Sequence, residues 1–365
     1  MKVNDRKIDH IRLAEKSRIS AENQDHRFNY EPFLSAHPIN LQSNCSIKFA
    51  GYDLLAPIWI SSMVGGSSGS REINYRLAKA ANRFSIGLAT GSCRRLLECK
   101  DKKKKKEYLK DFDLRDVLGK HLPFYINLGI AQIEQLLKEN RSSMICDLMD
   151  ELRVSGLIIH VNPLQEWLQR EGDLFTRPPI DTIKEFLEKF LSVSTTTTNK
   201  KSYSYVDCDQ VTKCNIIIKE VGQGIGPKSI EEILKLPIRA LEFSAFGGTN
   251  FSKLEILRGK NHTFNKQMSA LVGVGHSAEE MVEMVRESIA NLKEKALCKE
   301  FIISGGIKNF LDGHYLMNKL GYTSIYGYGF NLLELARVSY DKLHLFIENE
   351  INGLQMAKNF LAVKF

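Results

Sequence analysis

The sequence predicts an α/β chain closed into a TIM-type (β/α)8 barrel with an N-terminal extension. Three observations lead there. Eight short apolar runs of strand length recur along the chain, most followed by a helical pattern. Glycine or polar residues stand at the C-terminal exit of nearly every run. No G-x-G-x-x-G follows the first run, which argues against the competing open, doubly wound sheet.

The elements follow in order. Residues 1–50 make the extension, polar to about Asn44 and expected to contribute to the active site, where Arg6-Lys7-Ile8-Asp9-His10-Ile11 sets two cations and a histidine in a pattern usual for surface charge. Pro57 to Ser61 is the first strand candidate, and it runs into Ser62-Met63-Val64-Gly65-Gly66, a loop free to approach a ligand closely. Asn74 to Asn82 places Leu77, Ala78 and Ala81 at helical spacing. Ile86 to Thr90 reads as strand and leads to Gly91-Ser92-Cys93-Arg94; Phe124 to Asn127 leads to Leu128-Gly129. Gly156 to Val161 is stopped by Pro163, which cannot donate to a ladder and restricts Asn162 before it. His160, Asn162, Gln165 and Glu166 crowd that exit, either as polar caps of a strand end or as a chemical site.

Ile216 to Lys219, Ala240 to Ser244, Phe301 to Ser304 and Thr323 to Tyr326 complete the eight. They exit at Glu220-Val221-Gly222, Gly247-Gly248-Thr249, Gly305-Gly306 and Gly327-x-Gly329. Leu271 to Val274 reads as an additional short extended piece, and Ser277-Ala278-Glu279-Glu280 as a capping box that opens a helix. Two stretches, 99–110 with its lysine run and 194–213 with Thr195 to Thr198, read as insertions in a single domain spanning 1–365.

Composition bounds the function. A hydrophobic fraction of 43% and a charged fraction of 26% are those of an ordinary globular protein. No apolar run is long enough to cross a bilayer and no signal-peptide pattern opens the chain, so a cytoplasmic protein is expected. Seven cysteines without metal-ligand spacing fit free thiols in a reducing compartment. The net charge of +8 suits anionic ligands, but Lys102 to Lys106 supplies five of those charges. No aromatic residues interleave with these lysines, so a solvated face is expected over a nucleic-acid or membrane patch, and neither is expected as a partner.

Closing the barrel brings the strand exits to one face. Ser92, Asn127, His160, Asn162, Lys219, Thr249 and the late glycines then surround one pocket. The glycines after the last two strands occupy the usual phosphate site of such barrels. Lys219 either faces a ligand that carries negative charge or snorkels to the rim.

These motifs together resemble the type 2 isopentenyl diphosphate isomerases, a family of flavin-dependent barrel enzymes. The resemblance runs from Arg6 to about Leu332. It is carried by Arg6-Lys7-x-x-His10-Ile11, Met63-Val64-Gly65-Gly66, Gly91-Ser92-Cys93-Arg94, Asn127-Leu128-Gly129, His160-x-Asn162-Pro163-Leu164-Gln165-Glu166, Glu171-Gly172-Asp173, Lys219-Glu220-x-Gly222, Gly247-Gly248-Thr249 and Ser304-Gly305-Gly306-Ile307. It implies an FMN held by Met63, Val64, Gly65, Ser92, Asn127, Lys219, Ser244 and Thr249. At the phosphate it implies Gly306, Lys308, Tyr328 and Gly329. Substrate diphosphate is expected at Arg6, Lys7, Arg94, His160, Asn162 and Gln165, with Mg²⁺ bridging from Glu166. Gln165 and His160 are the expected catalytic residues. The implied reaction interconverts isopentenyl and dimethylallyl diphosphate by protonation and deprotonation involving reduced FMN, with NADPH as flavin reductant. A tetramer-based homo-oligomer is also implied.

Several positions depart from the family pattern. Lys308 stands for arginine, Phe310 for glycine, Val64 for threonine and Cys93 for glutamine, and Phe246 adds bulk before Gly247. Tyr326, Tyr328 and Phe330 stand where the family has small residues and proline, so a narrowed phosphate pocket and weak FMN binding are expected. The competing readings are an FMN-dependent barrel oxidoreductase resembling 2-hydroxy acid oxidases, and a degenerate member without catalysis.

Overall fold

The computed structural model describes residues 3–38, 45–67, 69–196, 214–260 and 262–365. Eight parallel strands close into a barrel: β1 (Ile58–Ile60), β2 (Gly87–Ser92), β3 (Phe124–Gly129), β4 (Gly156–His160), β5 (Cys214–Lys219), β6 (Ile238–Glu242), β7 (Glu300–Ser304) and β8 (Thr323–Tyr328). Each pairs with its sequence neighbour, and β8 closes on β1 through Tyr328 opposite Ile60. The strands are continuous apolar runs because helices cover the outside while side chains fill the inside.

Aromatic rings fill the barrel floor. Trp59 and Tyr125, both fully buried, meet edge to face at 5.7 Å. The chain makes room for them with glycines: a Cβ on Gly87 would lie 2.1 Å from the Trp59 ring, and one on Gly156 would lie 2.4 Å from Tyr125. Beneath them a hairpin, Ile47–Phe49 antiparallel to Tyr52–Leu54, seals the N-terminal end. Its turn residues Ala50 and Gly51 have φ of 51° and 85°, the two-residue turn that suits strand twist. The Tyr52 hydroxyl donates to Ser155 Oγ at 2.8 Å, and Glu300 accepts from the Ala50 amide at 2.7 Å. This hairpin is not among the elements expected from sequence, following as it does the polar stretch that ends near Asn44.

A second antiparallel pair, Phe28–Tyr30 with Leu361–Val363, joins the two ends of the chain. Arg27 beside it bonds Asp312 at 2.7 Å in the first turn of the helix Phe310–Leu320. The N-terminal segment forms a helix, Val3–Leu13, on which Arg6 and Lys7 are exposed.

The predicted helix over Asn74 to Asn82 lies within Ser70–Phe84, and the capping box at Ser277 and Glu280 is formed in both directions. The lysine run is a helix, Lys102–Leu109, capped by Asp101 and mostly exposed. Leu271 to Val274 is not extended: the helix His262–Val272 takes in its first two residues. A short apolar run carries no periodicity to separate the two states, and here the helix before it continues. Of the threonine-rich stretch, only the residues up to Thr196 are described, as the end of the helix Pro179–Thr196; 197–213 lies outside the described residues. No helix among the described residues is long and apolar enough to cross a membrane.

Candidate active site

Register places the chemistry at one level of the mouth. Ser92 lies opposite Asn127, His160 opposite both Gly129 and Lys219, and Lys219 opposite Glu242. Residues scattered over a hundred and fifty positions thus form an arc of imidazole, ammonium and carboxylate.

His160 Nδ1 lies 2.5 Å from Asn127 Oδ1. An amide oxygen only accepts, so Nδ1 carries the proton and Nε2 keeps its lone pair. Burial, with Lys219 adding repulsion, pushes His160 down to about 3, so the ring is neutral at pH 7.

Beyond the strand, Asn162 stands just before the short helix Pro163–Leu168 without capping it by its side chain, and Pro163 takes the first helical position. Asn162 is buried, and its Nδ2 donates to Gln165 Oε1 at 2.9 Å and to Glu166 Oε1 at 2.8 Å. Glu166 Oε2 accepts from the Asp173 amide at 2.7 Å. Asp173 in turn accepts from Gln132 Nε2 at 2.9 Å and pairs with Arg94. Arg94 also donates from Nε to Glu98 at 2.5 Å. One connected network therefore runs from Asn162 and Gln165 through Glu166 and Asp173 to Arg94.

Four participants carry no sequence signal. Glu255 is buried and accepts from Gln165 Nε2 at 3.4 Å, while Arg258 joins Glu255 at 2.5 Å to Glu171 at 2.6 Å. Glu255 and Arg258 look like any surface pair three apart on a helix; only the fold shows that they back Gln165. Gln132 and Glu242 are likewise plain in sequence. Arg6 and Lys7 are not part of this cluster: among the described residues no hydrogen bond or ion pair ties either to the mouth.

Beside the arc a cavity opens, walled by the ends of β1 and β5 to β8. Of the residues expected to hold a cofactor, Lys219, Ser244, Thr249 and Gly306 line it, and so do Met63, Tyr328 and Gly329. Val64, Gly65, Ser92 and Asn127 lie outside its wall, as does the exposed Lys308. The loop after β1 is pressed onto β2: Gly91 donates to the Val64 carbonyl at 2.8 Å, and a Cβ on Gly91 would come within 2.4 Å of the Gly65 nitrogen.

Lys219 is buried, and its Nζ donates to the Glu220 carbonyl at 2.6 Å. Burial pulls its pKa below the ordinary lysine value, and the charges of Glu242 and Glu220 oppose that. Burial pushes Glu220 upward, against amide hydrogen bonds from the following turn.

The lining of the cavity offers polar groups of the kind that a phosphorylated flavin would need. Ser61 Oγ, Ser62 Oγ and Glu242 Oε2 are buried without a partner among the described residues, and all three residues line the cavity. Bare buried polar atoms are rare unless water or a ligand meets them. Gly305 and Gly306 have φ of 89° and 75°, and a Cβ on Gly305 would lie 2.1 Å from the Ala245 carbonyl oxygen. Only glycine adopts such positive φ readily, and it lets the backbone approach a ligand closely. Ser244, at φ 44°, holds the same left-handed region without being glycine, a strain typical of ligand-holding turns.

The expected crowding of the phosphate pocket does not occur at Tyr326 and Tyr328. Strand alternation turns both rings outward and Gly327 inward, where its Cβ position lies 2.6 Å from Ser61 Oγ. The Tyr326 ring occupies space left by Gly313, and the Tyr328 hydroxyl donates to Glu350 at 2.6 Å on the helix Tyr340–Phe360. Phe310 similarly fills the space left by Gly353. Phe330 does line the cavity and is half exposed there. Phe246 is exposed and packs near Gly275. Cys93 is a buried thiol pushed up to about 12 by burial, so it is inert as a nucleophile.

No protein-family model matches the chain. It is 31% identical over 294 residues to the isopentenyl-diphosphate delta-isomerase of Rickettsia akari, covering 80% of this chain and 74% of that protein. It is 28% identical over 337 residues to the Rickettsia prowazekii protein of the same name, covering 92% and 86%. Among solved structures, a flavocytochrome b2 variant with benzoylformate aligns with TM-score 0.54 and 13% identity, over 92% of this chain and 76% of that one. A mandelate oxidase variant aligns with TM-score 0.52 and 11% identity, over 93% and 88%. At such low identity these two share the barrel fold alone.

Proposed function

The chain belongs to the isopentenyl-diphosphate delta-isomerase family, and from this we propose that it interconverts isopentenyl and dimethylallyl diphosphate with FMN and Mg²⁺ at the barrel mouth. The observation that carries the placement is the Asn162 amide, which binds Gln165 and Glu166 at once, in the turn that follows His160.

FMN would be held by Lys219, Ser244 and Thr249 along one side of the cavity and by Gly306 and Gly329 at its phosphate. When bound and reduced by NADPH, it supplies the proton-donating, electron-rich face that an unactivated alkene requires. The chain does the rest. Arg94 brings a fixed positive charge to the diphosphate. With Nδ1 donating to Asn127, His160 Nε2 could donate to a diphosphate oxygen only after taking up a proton, which would also give the ring its positive charge. An arriving anion favours that uptake.

Glu166 would bind Mg²⁺. Both of its oxygens accept one hydrogen bond and keep a lone pair. Among the described residues no group of three His, Cys, Asp or Glu could hold a metal, so the ion would complete its shell with diphosphate oxygens and water. Gln165, oriented by Asn162 and Glu255, would sit against the isoprenyl chain and position it or relay a proton. Protonating an alkene passes through a cation-like state that water would intercept, so the buried wall must also exclude water. Arg6 and Lys7 would reach the diphosphate from the N-terminal helix. A tetramer-based homo-oligomer in the cytoplasm completes the proposal.

Anaerobic conversion of isopentenyl diphosphate, with FMN, NADPH and Mg²⁺ each left out in turn, tests it. Conversion that needs all three supports the proposal. Steady consumption of NADPH or oxygen with a 2-hydroxy acid would favour the oxidoreductase reading, and no turnover at all the non-catalytic one.

A further inference from the structure

Among the described residues that line the cavity, Lys219 is the only lysine and the fully buried Glu242 the only glutamate. They are register partners across β5 and β6. Both line the cavity, no ion pair within 4 Å joins them, and Lys219 Nζ donates to the Glu220 carbonyl instead. Glu242 Oε1 accepts from Ser304 Oγ at 3.1 Å, and Ser304 Oγ accepts from the Ser244 amide at 3.0 Å. Glu242 Oε2 has no partner among the described residues. The carboxylate is therefore fixed in place on one side and bare on the other.

We propose that Glu242 is a positioning residue whose charge keeps the Lys219 ammonium protonated and turned into the FMN cavity. The inference rests on the cofactor reading above and goes beyond it by assigning a role to a residue that makes no contact in common with the substrate cluster. A buried ammonium loses its proton unless negative charge stands near. The charged and titratable groups around Lys219 are His160 on β4, Glu220 next in sequence and Glu242 on β6. His160 is neutral and adds no negative charge. Glu220 directs Oε2 away, to the amides of Gln223 and Gly224 at 2.6 and 3.2 Å. That leaves Glu242 as the carboxylate aimed at the same space. The fall in Lys219 pKa caused by burial is opposed first by Glu242, in agreement with the geometry.

FMN affinity measured by quenching of flavin fluorescence between pH 6 and 9 tests this without reference to turnover. In the wild type, affinity is expected to fall only at the alkaline end. In Glu242→Gln the fall moves to lower pH, so that Kd at pH 8 rises at least tenfold while Kd at pH 6 changes little. Lys219→Met should bind weakly at every pH, with no alkaline fall. Glu242→Asp should restore part of the shift, and it serves in place of Glu242→Gln should that variant fail to fold. A Kd raised equally at all pH values in Glu242→Gln, or not raised at all, would overturn the inference while leaving the cofactor reading intact. A wild type that binds no FMN at any pH would overturn the cofactor reading and this inference with it.

Discussion

His160 and Asn127 stand at the ends of adjacent strands, and their side chains share a hydrogen bond of 2.5 Å. That bond fixes which ring nitrogen carries the proton. Asn127→Leu, close in shape but without an acceptor, frees the ring to adopt the other tautomer. Losing one oriented bond of this kind costs roughly 1.5 kcal/mol, about tenfold in kcat/KM. Steady-state kinetics would show it; an unchanged kcat/KM would sink the assignment of His160 to the reaction.

Substrate binding should be linked to proton uptake. His160 is neutral in the free protein and must be protonated to bond a diphosphate oxygen. Calorimetric titration with inorganic diphosphate in buffers of different ionisation heat should show protons taken up at pH 7. His160→Gln should show none from this source. Equal uptake in both proteins would place the diphosphate elsewhere.

The same ring bears on stability. In an unfolded chain histidine titrates near 6.5, and in the fold His160 is pushed down to about 3. Below pH 6.5 the unfolded chain binds a proton that the folded site refuses. The stability that this site contributes is thus intact above pH 6.5 and is lost as pH falls toward 3. Urea midpoints at pH 7 and pH 4.5 should fall further apart in the wild type than in His160→Gln.

Glu166→Gln should raise the Mg²⁺ concentration needed for half-maximal rate at least tenfold, since a neutral amide is a poor ligand for a hard cation. The protein should also lose some thermal stability. A Gln side chain sets an amide NH₂ against either the Asn162 donor or the Asp173 amide. Wild-type Mg²⁺ dependence in this variant would remove Glu166 as the metal ligand.

Tyr328→Phe separates fold from cofactor. Burial pushes Glu350 upward, and the Tyr328 hydroxyl is one of its hydrogen-bond donors. Removing that donor should cost about 1–3 kcal/mol of stability. FMN affinity should stay within about twofold, because the phenol faces the C-terminal helix and not the cavity. A large loss of FMN with no loss of stability would reverse this account of the ring.

Much of the barrel was legible because each strand is a short apolar run cut off by glycine, proline or a polar residue. The His160 to Glu166 turn was legible for a different reason: Asn162, Gln165 and Glu166 bond one another within five positions, so there local chemistry is also spatial chemistry. Glu255, Arg258, Gln132 and Glu242 reach the same region from distant helices and strands, and nothing in their local sequence marks them. The Ala50-Gly51 turn was hidden by the polar composition before it, though Ile47, Phe49, Tyr52 and Leu54 do alternate as strands require. Tyr326 and Tyr328 could have been placed from sequence alone. Residues two apart on a strand share a face, and Gly327 between them had to take the other.

The pairing of Phe28–Tyr30 with Leu361–Val363 moors the arm that carries Arg6 and Lys7. A tether of about twenty residues holds two cations at an effective concentration on the order of millimolar near whatever they can reach. On the proposed role of Arg6 and Lys7, the carboxyl end of the chain, remote in sequence from the reacting groups, would set how often those cations visit an incoming anion. On that proposal, trimming that end should lower kcat/KM for the diphosphate while leaving kcat unchanged, and an unchanged kcat/KM would remove Arg6 and Lys7 from substrate capture.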